Sequence, residues 1–106
     1  MINSMTALLE KISDGHYLLR GQLSFESVPQ MWSQHKDALF DDTSNTLEID
    51  LSGLQRSDSS GLALLVEWYR SAEQRNKMIS FVNIPAQMLD IAMLSGLDDI
   101  LPIEKS

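Results

Sequence analysis

The segment Leu47–Leu65, with the sequence LEIDLSGLQRSDSSGLALL, contains the pattern that decides the fold. The stretch that opens it, Thr46–Leu51, alternates strictly between polar and apolar side chains, which predicts a half-buried β-strand. We expect a turn around Ser52-Gly53 and then a long helix over residues 59–75, because apolar residues there recur at helical spacing. A strand that leads through a short loop into a helix is a basic unit of an α/β domain.

The rest of the chain is predicted from the same kinds of pattern. Two strands are expected at residues 6–11 and 16–23, joined by Asp14-Gly15, because an Asp-Gly pair is typical of a tight hairpin turn. A helix is expected from Ser27, because one helical stripe there consists of Val28, Met31, Trp32, His35, Ala38 and Leu39. A strand is expected at 78–82, followed by a helix at 86–94 that Gly96 ends. A short element is expected around Ile100 and Leu101. This order predicts a single α/β domain over residues 1–106. It has three to four helices and a small mixed sheet that begins as an antiparallel hairpin and continues with parallel strands.

The chain is acidic, since 15 Asp and Glu against 8 Lys and Arg give its 106 residues a net charge of −7. Such a surface would repel the phosphates of nucleic acid and an anionic membrane, so neither is expected as a partner. The sequence has no cysteine and no signal-peptide pattern at its start. Its longest apolar run, Leu62–Val66, is far shorter than the roughly 20 residues of a membrane helix. We therefore expect a cytoplasmic protein with no segment inserted in the membrane.

No arrangement of residues in the sequence predicts a catalytic or metal site. His16 and His35 fall on different predicted elements, and the glycines form neither a phosphate-binding loop nor a dinucleotide fingerprint. Asp41-Asp42 lies in a polar stretch, where solvated loop residues are expected. Ser59 and Ser60 have no adjacent base that would activate a nucleophile. We expect no enzymatic activity, no cofactor and no bound metal.

The start of the long helix, Asp58-Ser59-Ser60-Gly61, allows two interpretations. Asp58 or Ser59 can cap the helix by accepting a hydrogen bond from its free N–H groups. Alternatively, a hydroxyl at an exposed helix start is a contact point for a partner or a site of phosphorylation. The positive end of the helix dipole would favour a phosphate there, whereas Asp58 would oppose it.

The same helix carries a second candidate for a partner contact. At about 100° per residue, the predicted core stripe consists of Leu62, Leu65, Val66, Tyr69 and Ala72. Leu64 lies outside this stripe and Trp68 lies at its edge. Either both side chains pack against a neighbouring helix, or they form a protein-binding patch beside the two serines, since tryptophan is enriched in binding hot spots.

The strand Leu47–Ser52 and the following segment Asp58–Leu65, DSSGLALL, resemble the STAS domain, which anti-sigma-factor antagonists share with the cytoplasmic tails of sulfate transporters. The element order and the later strand with Asn83-Ile84-Pro85 also fit, so the resemblance covers nearly the whole chain. Within the family, the GLALL continuation, Trp68, the Asn-Ile-Pro segment and Ile100-Leu101-Pro102 are most similar to one subgroup. Its members are small STAS subunits of the ABC transporter that maintains outer-membrane lipid asymmetry in Gram-negative bacteria.

This resemblance implies a non-catalytic regulatory subunit that binds the ATPase of a phospholipid transporter and supports its assembly or activity. Through the ATPase the chain would join the permease and substrate-binding subunits, on the cytoplasmic side of the inner membrane. The expected partner-binding residues are Asp58, Ser59, Ser60, Leu64 and Trp68. In such subunits a threonine commonly follows the aspartate of the motif and contributes to the ATPase contact. Ser59 occupies that position and keeps the hydroxyl.

The family also implies an alternative function. In phosphorylated anti-sigma-factor antagonists the acceptor is the serine directly before the glycine, and Ser60 matches that position. The alternative is therefore an anti-sigma-factor antagonist that is controlled by phosphorylation at Ser60.

Overall fold

The computed structural model describes residues 8–23, 29, 32–33, 39–57 and 59–104. Asp58, residues 6 and 7 of the first predicted strand, and Val28, Met31, His35 and Ala38 of the first predicted helix lie outside the described residues. Within that helix, Pro29, Trp32, Ser33, Leu39 and Phe40 are described and have helical backbone. Leu39 and Phe40 are buried, so the end of this segment packs into the core.

Four strands in the described part of the chain form one sheet, in the order β1-β2-β3-β4. They are β1 (Leu8–Ser13), β2 (His16–Leu23), β3 (Thr46–Ser57) and β4 (Met78–Val82). β1 pairs with β2 in an antiparallel manner, whereas β3 is parallel to both β2 and β4. The predicted mixed sheet, which begins as a hairpin and continues with parallel strands, is confirmed.

Asp14 and Gly15 form the turn between β1 and β2, as the Asp-Gly pair predicts, although β1 extends to Ser13 rather than ending at residue 11. Gly15 has a φ of 78°, in the left-handed region that favours glycine. A Cβ on this residue would lie 2.6 Å from the carbonyl oxygen of Thr46. Glycine therefore permits both the turn and the close approach of the start of β3.

The predicted turn around Ser52-Gly53 is wrong, because β3 continues through these residues to Ser57. Arg20 of β2 pairs with Gly53, and the pairing register shifts just before it, between Leu18 and Arg20. A Cβ on Gly53 would lie only 2.7 Å from Arg20 Cγ and 2.9 Å from the carbonyl oxygen of Leu19. The glycine thus marks a bulge where two strands approach closely, not a chain reversal.

Two α-helices and one short 3-10 helix are present in the described residues: α1 (Ser59–Gln74), α2 (Ala86–Leu94) and the 3-10 helix Leu97–Asp99. The structure confirms the predicted bounds of α1 to within one residue and those of α2 fully. Gly96, between α2 and the 3-10 helix, has the expected left-handed φ of 75°. Because the helix expected from Ser27 is described only in part, the expected total of three to four helices is not confirmed.

The core lies on one face of the sheet. Alternate strand residues are buried there, namely Leu9 in β1, Tyr17 and Leu19 in β2, Leu47, Ile49 and Leu51 in β3, and Ile79 and Phe81 in β4. Leu65 and Trp68 of α1 and Met88 of α2 belong to the same buried cluster, so both helices cover this face. His16 and Arg20, which lie on either side of the buried Tyr17 and Leu19 in β2, are exposed on the other face.

The direction of the strands places the two helix starts at the same side of the domain. β3 and β4 are parallel, α1 follows the end of β3, and α2 follows the end of β4. Both helices therefore begin near the edge where the parallel strands end, which we call the carboxyl edge. Binding residues of open α/β sheets commonly lie at this edge.

Candidate functional site

Ser59 is the first residue of α1 and is exposed at the carboxyl edge. The first backbone N–H groups of a helix have no partner within the helix and carry the positive end of its dipole. A partner that approaches Ser59 therefore meets its hydroxyl at the positive end of the helix dipole. This arrangement suits a hydrogen-bonded contact with a carbonyl or carboxylate oxygen of another protein.

Ser60, the next residue, has a different environment, because it is only 6% exposed. A kinase must reach the serine oxygen to transfer a phosphoryl group to it. The first turn of α1 would have to open before Ser60 could enter a kinase active site. Phosphorylation at Ser60 stays a prediction, and the folded chain does not present this residue on its surface.

Leu64 and Trp68 do not form an exposed patch, and that expectation is wrong. Leu64 is 1% exposed and Trp68 is 0% exposed, because both pack in the core beneath α1. Leu62, Leu65 and Ala72 of the predicted stripe are buried as expected, but the centre of the buried side is displaced by about one residue, towards Trp68. Val66 and Tyr69, which the sequence assigns to the core, are only partly buried. Trp68 is the largest side chain of α1, and a stripe centred on it identifies the correct face.

The opposite side of α1 forms a continuous strip of accessible residues. It consists of Ser59, Ala63, Val66, Glu67 and Arg70, and we call it the α1 outer face. The side chains of Ser59 and Ala63 are small, so a partner can approach the first turn closely. Glu67 Oε1 and Arg70 Nη1 form an exposed ion pair of 3.9 Å, which contributes little to stability and can rearrange against a charged partner. Ala63 and Glu67 were missed from the sequence because they are recognised only once the helix is correctly rotated.

A side-chain contact near the carboxyl edge joins β3 to the segment Asn83-Ile84-Pro85. Asn83 Nδ2 donates a 3.1 Å hydrogen bond to Asp50 Oδ1, which also accepts one of 2.8 Å from the backbone N–H of Ser52. Partial burial tends to raise the pKa of Asp50, but these hydrogen bonds outweigh it and hold the pKa below its ordinary value. The ionised carboxylate therefore fixes the loop that precedes α2. The sequence pattern did not identify this contact, because the two residues are 33 positions apart.

Asp42 is a buried carboxylate at the opposite edge of the sheet, where the parallel strands begin. The prediction that Asp42 is a solvated loop residue is therefore wrong. Its Oδ2 accepts hydrogen bonds from the N–H of Gly15 at 2.9 Å and from the hydroxyl of Tyr17 at 2.7 Å. Its Oδ1 accepts one from the N–H of Ser44 at 2.8 Å, and Lys11 Nζ lies 3.4 Å from Oδ2. These hydrogen bonds hold the pKa of Asp42 well below its usual range. The bond from Ser44 has the largest effect, followed by those from Tyr17 and Gly15. Burial, followed by the hydrogen bond to Asp42, raises the pKa of Tyr17 well above its usual range.

Lys77 binds the same segment from the residue before β4. Its Nζ donates hydrogen bonds to the carbonyl oxygens of Asp42 and Ser44, the latter at 2.8 Å. These contacts tie the chain before β3 to the strands, so we assign the Asp42 cluster a structural role, at the edge of the sheet opposite Ser59. In the described ranges, no group of three or more His, Cys, Asp or Glu residues is arranged to hold a metal ion. None of the helices described there is long and apolar enough to cross a membrane.

Comparison with known sequences links the chain to one protein family. The family described as Mlab, STAS domain matches residues 12–102. The chain is also 37% identical over 83 residues to the intermembrane phospholipid transport system binding protein MlaB of Haemophilus influenzae, a match that covers 76% of this chain and 79% of that protein. The family match includes the whole of α1 and α2, and therefore all of the α1 outer face.

Comparison with solved structures finds the same fold in two groups of proteins. A chain of the Acinetobacter MlaFEDB complex in an ATP-bound conformation has a TM-score of 0.74 at 28% identity, with 84% of this chain and 93% of that chain covered. An anti-sigma factor antagonist from Mycobacterium paratuberculosis has a TM-score of 0.72 at 25% identity, with 95% and 86% covered. The unphosphorylated anti-sigma factor antagonist SpoIIAA has a TM-score of 0.73 at 21% identity, with 95% and 88% covered, and shows the fold alone.

Proposed function

Because the chain belongs to the MlaB-type STAS domain family, we propose that it is a non-catalytic accessory subunit of an ABC phospholipid transporter of the Mla type. In this proposal the chain binds the ATPase subunit and, through it, joins the permease and substrate-binding subunits on the cytoplasmic side of the inner membrane. It supports the assembly or activity of the ATPase and thereby the lipid asymmetry of the outer membrane. The 37% identity to the Haemophilus influenzae phospholipid transport protein supports this interpretation.

One observation carries the proposed contact: Ser59 is exposed at the start of α1. The resemblance to the transporter STAS subunits implies that the hydroxyl at this position contributes to the ATPase contact. Ala63 lies one helical turn further and adds only a methyl group, so the ATPase can approach the first turn closely. Asp58, which directly precedes Ser59 in the sequence, is proposed as part of the same contact. Leu64 and Trp68 are buried, and in this proposal they hold α1 in position without touching the partner.

The contact is tested by Ser59→Arg in the full chain. A long, charged side chain at the first turn of α1 would separate the two surfaces, and it would leave the core intact because Ser59 is exposed. Gln74→Arg is the matched control, because Gln74 is an exposed residue at the other end of the same helix, about 22 Å away by helical rise. Both variants add the same charge to the same helix.

Affinity-tagged protein is purified from detergent-solubilised membranes of cells that carry the transporter. We expect the wild-type chain and Gln74→Arg to extract an ABC ATPase together with its permease, and Ser59→Arg to lower their yield by at least tenfold. Cells with Ser59→Arg should also become sensitive to detergent. The proposal is overturned if the wild-type chain extracts no ABC ATPase, or if Ser59→Arg retains both the yield and the detergent resistance.

The anti-sigma-factor antagonist function is the second proposal. The position of Ser60 directly before Gly61 and the likeness to the Mycobacterium paratuberculosis antagonist, with a TM-score of 0.72, support it. The 6% exposure of Ser60 makes it the weaker of the two. In this case, phosphate-affinity electrophoresis of protein from cells should show a shifted band that Ser60→Ala abolishes. A single unshifted band in all growth phases overturns it.

A further inference from the structure

Helix α2 exposes large apolar side chains as well as the polar Gln87 and Asp90 on its outer side. Met88 and Ala92 are buried against the core, as expected for a helix that packs on a sheet. Met93 and Leu94 point the other way and are 54% and 90% exposed. A surface helix normally carries mainly polar residues on its outer side, and large apolar side chains that are exposed there can mark a contact with another molecule.

A further exposed apolar residue follows α2 closely in the chain. The left-handed Gly96 connects α2 to the 3-10 helix, and the two helices contact each other across this short connection. Ile100, which directly follows it, is 59% exposed. Met93, Leu94 and Ile100 are the three large apolar residues exposed in this part of the chain, and we call them the C-terminal apolar patch.

The sequence around the patch is predominantly acidic, although Lys105 directly follows Glu104. Residues 78–104 contain four acidic residues, Asp90, Asp98, Asp99 and Glu104, and no Lys, Arg or His. Asp90 is exposed and lies four residues before Leu94, on the same side of α2. Asp98 and Asp99 belong to the 3-10 helix, directly before Ile100. The exposed apolar residues Leu94 and Ile100 are therefore each close in the chain to an exposed carboxylate, that of Asp90 and that of Asp99.

We propose that the C-terminal apolar patch binds a basic amphipathic segment of a protein partner. Apolar side chains of the segment would cover Leu94 and its neighbours, while Lys or Arg side chains would pair with the carboxylates. A second copy of this chain would instead bring carboxylates against carboxylates, and an anionic membrane surface would be repelled in the same way. Three side chains also form a much smaller surface than the roughly 800 Å² per partner of a standard protein interface, which fits a single helix or short segment.

The patch lies away from Ser59, the residue proposed to contact the ATPase. α1 and α2 both begin near the carboxyl edge, where Ser59 lies, whereas Leu94 is the last residue of α2. The nine residues of α2 place Leu94 about 12 Å from the start of the helix by helical rise, away from the carboxyl edge. The patch thus provides a contact of its own, and it does not depend on the contact proposed for Ser59.

The test is photo-crosslinking of the full chain in cells, with Leu94→p-benzoylphenylalanine as the probe. Leu94 is 90% exposed, so the photoreactive side chain does not disturb the core. The same substitution at Asp14 is the control, because that side chain is 82% exposed and lies in the β1–β2 turn, outside the patch. Crosslinked peptides are identified by mass spectrometry, with and without the additional substitution Asp90→Lys.

We expect a Leu94-specific crosslink to a protein segment in which apolar residues recur at helical spacing and Lys or Arg residues lie beside them. Asp90→Lys should lower the crosslink yield at least tenfold, and reversal of a Lys to Glu in the partner segment should restore it. The crosslink should persist in Ser59→Arg, because the two surfaces are separate.

Four results would each overturn the proposal: a yield no higher than that of the Asp14 control, crosslinks only to a second copy of this chain or to lipid, a partner segment without basic residues, or loss of the crosslink in Ser59→Arg. Failure of the ATPase to co-purify would overturn only the proposed function. The co-purification and the photo-crosslinking therefore test the two proposals separately.

Discussion

The hydroxyl of Tyr17 in β2 donates a 2.7 Å hydrogen bond to Asp42, a carboxylate whose side chain has no exposed surface. The two residues are 25 positions apart, so this bond holds the segment before β3 against the start of β2. The same carboxylate oxygen accepts a hydrogen bond from the backbone of Gly15 in the hairpin turn. The Asp42 carboxylate therefore joins the hairpin, β2 and the approach to β3 at one point.

Tyr17→Phe should destabilise the fold by about 1.5–3 kcal/mol, the usual contribution of a hydrogen bond to a charged group. The substitution keeps the buried ring and removes only the donor, so Asp42 loses one of its partners. Urea denaturation followed by circular dichroism measures the change. Tyr69→Phe is the control, because Tyr69 is only partly buried and lies on a helix surface. An equal loss of stability in both variants would contradict a special role for the bond to Asp42.

Acid should weaken the fold through Asp42. The pKa of this carboxyl is depressed in the folded chain, so the unfolded chain takes up a proton first as the pH falls. Its contribution is therefore fully present above the unfolded pKa of about 4 and is lost progressively as the pH falls from there towards the folded pKa. We expect urea unfolding of Asp42→Asn to show a less stable fold at neutral pH and a flatter decline in acid. The pKa of Asp50 is also lowered, but this residue remains in both proteins and so contributes equally to their loss of stability in acid. A loss of stability in acid that is parallel in Asp42→Asn and the wild type would contradict the assignment to Asp42.

Local patterns were enough to predict most of the fold. The alternation of Thr46–Leu51, the Asp14-Gly15 turn and the bounds of α2 follow from interactions within a few residues, and the structure has them as expected. The parallel direction of β2, β3 and β4 was predicted as well, because helices of this length between strands favour parallel crossovers. The exposed position of Ser59 at the start of a helix was also predicted from residues close to it in the sequence.

The features that the sequence did not give depend on contacts between distant residues. Gly53 resembles a turn residue in the sequence. A glycine is needed there because β2 approaches closely at Leu19 and Arg20, more than 30 positions earlier in the chain. Asp42 is buried because donors far from it in the sequence, Gly15 and Tyr17, converge on it. The rotation of α1 likewise depends on what lies beneath Trp68, so the α1 outer face could not be assigned correctly from helical periodicity alone.

Gly53→Ala should loosen the pairing of β2 with β3. The added Cβ would lie 2.9 Å from the backbone oxygen of Leu19, which a side-chain rotation cannot move, so the strands must separate at a cost of about 1–3 kcal/mol. Gly96→Ala is the contrasting control, because a Cβ there meets nothing within 4 Å and only the left-handed backbone is strained. Amide hydrogen exchange should accelerate in β2 and β3 for Gly53→Ala alone. Unchanged protection of these strands would show that the bulge tolerates a side chain.

Trp68→Phe should lower the free energy of unfolding only slightly, although it alters the largest buried side chain. The indole Nε1 of Trp68 has no hydrogen-bond partner in the part of the chain that the structure describes, and the residue is 0% exposed. The substitution removes this unsatisfied donor together with part of the ring, so the lost packing is partly offset. By urea unfolding we expect a loss below about 1.5 kcal/mol, against about 2–5 kcal/mol for Leu64→Ala, which leaves a cavity. Both side chains lie in the core, so each variant that remains folded should co-purify with the ATPase as the wild type does. Loss of the ATPase from a variant with an unchanged Tm would instead place that residue at the interface.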